Sequence, residues 1–249
     1  RGCSRRSRTI TGMTATTAPM TAHGDGHSHG DAPHAHGGGH YTSLGLDSRK
    51  IAIWTFIGSE CMLFASLIST YLIYKGRSPE GPFPHETWTN PMTGEVFKPI
   101  LNIPVTSAST FVLLMSSLAM VLALAAVQNR HVPKVTTGQK ILGSSKLWLW
   151  MTCLLGIGFL GCQAYEFTSF IHEGLTIRTN LFGSSFFTLT GFHGAHVTAG
   201  VIWLFTLLAI DYKRGLQPED ATIVDIAALY WHFVDVVWIA IFTLVYLIK

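Results

Sequence analysis

The sequence predicts an all-α, polytopic membrane protein built as a bundle of five transmembrane helices. Three observations predict it. Five apolar stretches, at about 50–74, 103–127, 147–171, 184–212 and 223–248, each exceed the roughly 20 residues that a helix needs to cross a bilayer. The composition agrees, with 48% hydrophobic and only 12% charged residues. Backbone N–H and C=O groups in lipid must bond within the segment itself, so helices are the simple solution for such runs.

Taken in order, the chain begins with a basic stretch, Arg1 to Arg8, that no apolar run follows, so it does not read as a secretory signal. Residues 1–48 read as a disordered tail. Its stretch 23–40 is rich in Gly and His and poor in apolar residues, and it cannot build a core. That stretch holds His23, His27, His29, His34, His36 and His40, half of the twelve histidines. They are weak ligands for divalent metals, with a plain flexible tail as the simpler reading. Residues 49–249 form the transmembrane domain. The first span is followed by a loop, 75–102, punctuated by Pro and Gly, which reads as surface and not as a further span. The loop after the second span is polar and basic. With the N-terminus placed inside, the inner segments carry twelve Lys and Arg and the outer segments five. The charge rule therefore puts the N-terminus in the cytoplasm and the C-terminus outside.

The remaining composition excludes more than it assigns. The net charge of +3 implies no nucleic-acid partner. Cys3, Cys61, Cys153 and Cys162 form no Cys-x-x-Cys, disulfide framework or zinc spacing. No phosphate loop, nucleophile elbow or zinc-protease motif occurs.

Ionisable residues inside the spans are costly and mark the places to look. Glu60 lies about ten residues into the first span, hence roughly 15 Å deep, where a charged carboxylate is disfavoured. Glu166, in Gln163-Ala-Tyr-Glu166, is placed near the outer end of the third span as a helix-end polar contact. His193 and His196 are three apart on the fourth span and share a face. Two such histidines could ligate metal or haem, but no Glu-x-x-His accompanies them, and hydrogen bonding between helices is the favoured role. Gly191, Gly194 and Gly200 on the same span would let backbones approach closely. The last span holds Asp225, His232 and Asp235, all read as polar contacts within the bundle; the last two share a face and are expected to hydrogen-bond there and not to a metal. Arg49 and Lys50 stand where lipid headgroups lie.

Four of these stretches resemble one family. Tyr230-Trp-His-Phe-Val-Asp-Val-Val-Trp238 is similar to the C-terminal signature of subunit III of the haem–copper oxidases. Phe182-Gly-Ser-Ser-Phe-Phe-Thr-Leu-Thr-Gly-Phe-His-Gly-Ala-His-Val197 closely resembles its histidine-bearing span. Phe56-Ile-Gly-Ser-Glu60 resembles the segment whose glutamate reacts with carbodiimides. Gln163-Ala-Tyr-Glu166 resembles the family's Gln-Ala-x-Glu-Tyr, with the Tyr displaced. The resemblance implies the short, five-helix bacterial form, a multi-pass protein of the cell membrane lacking the family's first two helices. It further implies a subunit without catalytic residues or a redox centre of its own, in a complex that reduces oxygen to water and pumps protons. Haem and copper would belong to partner subunits I and II, phospholipid would be bound, and cytochrome c would donate electrons to the complex. This chain would stabilise the catalytic subunit and support proton uptake. A quinol oxidase subunit III is the near alternative. A metal-ion transporter, suggested by the tail and by His232 with Asp235, is the remote one, because the acidic groups are scattered along the chain.

Overall fold

The computed structural model describes residues 47–75, 77, 88–89, 96–97, 103–131, 136, 138, 140 and 143–248. All of them fall in one compact unit, His40–Lys249. The His-rich tail expected at 1–48 lies outside the described residues, apart from its last two positions. Helix α1 is Ser48–Tyr74, α2 is Ile103–Gln128, α3 is Ser145–His172, α4 is Leu181–Lys213 and α5 is Ala221–Phe242. Between α1 and α2, the two-residue strands Trp88–Thr89 and Val96–Phe97 pair antiparallel. Among the described residues, five helices are long and apolar enough to cross a membrane, the last running from Pro218 to Leu247. Each overlaps one of the five apolar stretches, and the chain is a multi-pass membrane helical bundle.

Local signals set the helix ends. The Asp47 side chain caps α1 by accepting the Arg49 N–H at 3.0 Å, and Asn180 caps α4 by accepting from Gly183 N at 2.6 Å. Helix α3 stops at Gly174, whose φ of 87° an L-residue adopts only with strain; Leu175 N then closes back on Phe170 O at 2.9 Å. Helix α5 follows a short 3-10 turn, Pro218–Asp220, and gives way to a π turn, Thr243–Leu247. The sequence predicts one helix through residue 248; the ladder instead widens where Tyr246 enters the core.

Helix α5 is the centre of the bundle. Just over half of its apolar window is buried within the chain (56%), against 11% for α1. It packs on α1, α2 and α4, while α2 lies along α3 and α3 along α4. Apolar burial drives little association in lipid, so close packing and polar contacts hold helices together. Both are visible around two tryptophans. The Trp231 indole N–H donates to Ser116 of α2 at 3.0 Å, and its ring fills the space left by Gly156 of α3 and Gly200 of α4. Trp238 donates to Thr110 of α2 at 2.9 Å and packs on Phe159 of α3, 4.8 Å between ring centres. These hydroxyls also donate to their own helix backbone, Thr110 to Thr106 O and Ser116 to Leu113 O, so each is used twice. The glycine stripe thus works differently from the expected backbone approach. Gly200 receives Trp231 and Gly194 receives the Gln163 amide, while Gly191 meets nothing within 4 Å.

Candidate functional site

The most chemically distinctive arrangement joins α1 to α4. Glu60 lies twelve residues into α1, about 18 Å from its start at 1.5 Å per residue. Its Oε2 meets His196 Nε2 of α4 at 3.1 Å. The other ring nitrogen, Nδ1, lies 2.8 Å from the Phe192 carbonyl. A carbonyl only accepts, so Nδ1 carries hydrogen in this ring orientation. Two states remain for the Nε2 contact. Either Nε2–H donates to a carboxylate, or a carboxylic acid donates to bare Nε2. In both, exactly one proton lies between the two groups. Phe64 packs edge-on against the imidazole at 5.0 Å, and the Tyr230 hydroxyl donates to the His196 carbonyl at 3.1 Å. Both side chains keep 17% exposure, so the pair sits at the bundle's flank and not in its core. The sequence placed Glu60 at depth; it did not place His196 beside it.

His193, three residues away, has a different environment. It is fully buried, stacked on Trp238 at 4.8 Å and edge-on to Phe159 at 5.8 Å. Among the described residues neither of its ring nitrogens has a hydrogen-bond partner. The hydrogen bond between helices expected of this histidine is therefore replaced by aromatic packing. The two histidines serve different surroundings and do not converge on a metal position.

His232 and Asp235 do not bond to each other. His232 Nδ1 is 2.6 Å from Ser117 Oγ on α2. Asp235 is buried beside the same hydroxyl, but its oxygens form no hydrogen bond of normal geometry. The shared helix face was correctly legible; the residue between them, supplied by α2, was not.

Glu166 is 4% exposed, deeper within the protein than a helix-end contact would be. It accepts from Thr106 of α2, and the Tyr246 hydroxyl faces the same carboxyl. The π turn brings Tyr246 there, and no local sequence signal announced it. Asp225 forms an ion pair with Lys50 at 2.7 Å, tying the starts of α5 and α1. The Lys50 charge, read as a headgroup contact, is engaged inside the chain; the exposed Arg49 is not so paired among the described residues.

Sequence reading passed over Asp211, near the end of α4. It is fully buried and accepts from Ser145 Oγ at 2.6 Å and from Leu216 N at 2.9 Å. Its one signal was a carboxylate followed closely by a glycine. Among the described residues no group of three or more His, Cys, Asp or Glu could hold a metal ion.

Comparison with known proteins places these features. The family described as "Cytochrome c oxidase subunit III" matches residues 33–249. The chain is 40% identical over 200 residues to cytochrome c oxidase subunit 3 of Bacillus sp. (strain PS3), covering 80% of this chain and 86% of the relative. It is 36% identical over 197 residues to quinol oxidase subunit 3 of Bacillus subtilis (strain 168), covering 79% and 85%. It is 37% identical over 226 residues to cytochrome bo(3) ubiquinol oxidase subunit 3 of Pseudomonas aeruginosa, covering 91% and 92%.

Proposed function

The chain belongs to the cytochrome c oxidase subunit III family, and from that premise we propose how it serves its complex. It is subunit III of a haem–copper oxidase. Its role is that of a partner without a redox centre: it stabilises the catalytic subunit and supports proton uptake, while haem and copper reside in subunits I and II. The observation that carries the proton role is the Glu60–His196 pair. It holds one exchangeable proton about 18 Å along α1, at a flank open to lipid or to a neighbouring subunit. Hydrogen bonding to both ring nitrogens holds the imidazole in place, so a proton can pass between carboxyl and imidazole without either side chain moving far.

Cytochrome c is the proposed electron donor to the complex, supported by the 40% identity to the cytochrome c oxidase subunit of Bacillus sp. (strain PS3) against 36–37% for the two quinol oxidase subunits named above. Oxygen is reduced to water in the partner subunits, with bound phospholipid. The N-terminus lies in the cytoplasm.

The test is affinity purification through this chain from its native membrane. The expected result is co-purification of two larger oxidase subunits, a haem spectrum, and oxygen uptake with reduced cytochrome c exceeding that with quinol. Recovery of the chain without haem or copper subunits sinks the proposal. Higher activity with quinol, together with a subunit II lacking copper, replaces the donor. In the intact complex, Glu60→Gln and His196→Phe should preserve the haem spectrum yet shorten activity under sustained turnover.

A further inference from the structure

At the end of the bundle where α2 stops and α3 begins, a cavity of about 190 Å³ opens between three helices. It is lined by Arg130, Lys140 and Lys146, by Ser144 and Ser145, and by Asp211. We propose that this cavity is a binding site for a phosphate group.

Charge is the first reason. Three cationic side chains face one carboxylate, leaving a net of +2. The carboxylate is already satisfied. Asp211 is fully buried, accepts from Ser145 Oγ at 2.6 Å and Leu216 N at 2.9 Å, and lies 3.7 Å from the Arg130 guanidinium. Arg130 also donates to the Leu216 carbonyl. The buried acid thus neutralises and orients Arg130 and builds the wall; it does not neutralise the lysines. Among the described residues no carboxylate pairs with Lys140 or Lys146. The Lys146 ammonium lies over the Tyr212 ring at 4.9 Å, which steadies it without cancelling its charge.

Shape is the second reason. The volume is several times the roughly 30 Å³ that a water occupies in the liquid, enough for a tetrahedral oxyanion. Gly215 helps to make the room. Its φ of 72° turns the chain after α4, and a Cβ there would lie 2.8 Å from the Arg130 guanidinium. Position is the third. The cavity sits where two spans end and one begins, the level of phospholipid headgroups. The first turn of α3 borders it, and the Ser144 side chain makes no capping bond there. Its partial positive charge adds to that of the lysines. A phosphate reaches this site either on an anionic lipid or as the free ion; both present the same oxygens to the same cations.

The experiment uses the full chain purified in detergent and stripped of lipid. It is titrated separately with radiolabelled orthophosphate and with phosphatidylglycerol, phosphatidylcholine serving as the zwitterionic control. One equivalent of phosphatidylglycerol, orthophosphate or both should bind saturably. Lys140→Gln/Lys146→Gln should weaken that binding about thirtyfold, the weight of two lysines beside a phosphate. Lys213→Gln, on the same end but off the cavity, should leave it unchanged. Phosphatidylglycerol bound without orthophosphate assigns a lipid headgroup, and orthophosphate displaced by the lipid assigns the shared group. The single variant Lys140→Gln alters only an exposed side chain and should weaken binding about fivefold with helix content intact. Equal binding by wild type and double variant overturns the proposal. So does a lipid preference no greater than for phosphatidylcholine, coupled with no orthophosphate uptake.

Discussion

Glu60 and His196 have little meaning apart. Alone, Glu60 is a costly carboxyl in lipid; beside the imidazole it becomes one end of a shared proton. A hydrophobic carbodiimide reacts with the acid form at a flank it can reach. Peptide mapping after labelling should therefore find modified Glu60 and unmodified Glu166. The sequence places Glu166 near the outer end of its span, where nearness to the interface would account for that selectivity. The structure replaces this with burial, since Glu166 is enclosed by Thr106 and Tyr246. Equal labelling of both would show that Glu166 is not enclosed. Ser117 invites a second measurement. Ser117→Ala removes the hydroxyl on which His232 Nδ1 rests and should lower stability by about 1 kcal/mol, visible as an earlier thermal transition of the detergent-solubilised chain. An unchanged transition would make that contact incidental.

At the scale of elements, glycine and tryptophan form one joint between α3, α4 and α5. A Cβ at Gly200 would meet Trp231 at 2.9 Å, and one at Gly156 would meet it at 2.8 Å. Gly200→Val should cost about 1–3 kcal/mol by overpacking, because the indole is also held by Ser116 and cannot swing away freely. Gly191→Ala is the contrast, since nothing lies within 4 Å of the added methyl. It should be neutral or stabilise the helix by about 0.5–1 kcal/mol. Denaturation of the two variants side by side checks both; a Gly191 variant weaker than the Gly200 variant would refute the joint.

For the whole molecule, the uneven burial of the helices is the main fact. Helix α1 rests on α4 and α5, with Lys50–Asp225 and Glu60–His196 as two polar rungs and Lys75 donating to the Ile248 carbonyl beyond them. Its other sides carry Trp54 and Met62, strongly exposed. Orientation is testable at this scale. In a cysteine-free background, Gly138→Cys should react with an impermeant maleimide only after the cytoplasmic side is opened, and Arg178→Cys should react from outside. The reverse pattern would invert the topology drawn from the charges.

Span number and family were legible without coordinates, because lipid imposes a length and an apolar composition that a single helix must satisfy by itself. The motif around Trp231 and the place of Glu60 along its span were legible for the same reason: each belongs to one helix. Partnership was not. His196 meets Glu60 from 136 positions away, Ser117 meets His232 from 115, and Thr106 meets Glu166 from 60. Spacing along one helix says which residues share a face, and His232 with Asp235 do; it says nothing of which helix lies opposite. That choice depends on how side chains of all five helices fit together, such as an indole seated over two glycines. The same fit separates His193 from His196, three residues apart in one span, the first stacked on Trp238 and edge-on to Phe159, the second turned to a carboxyl at the flank.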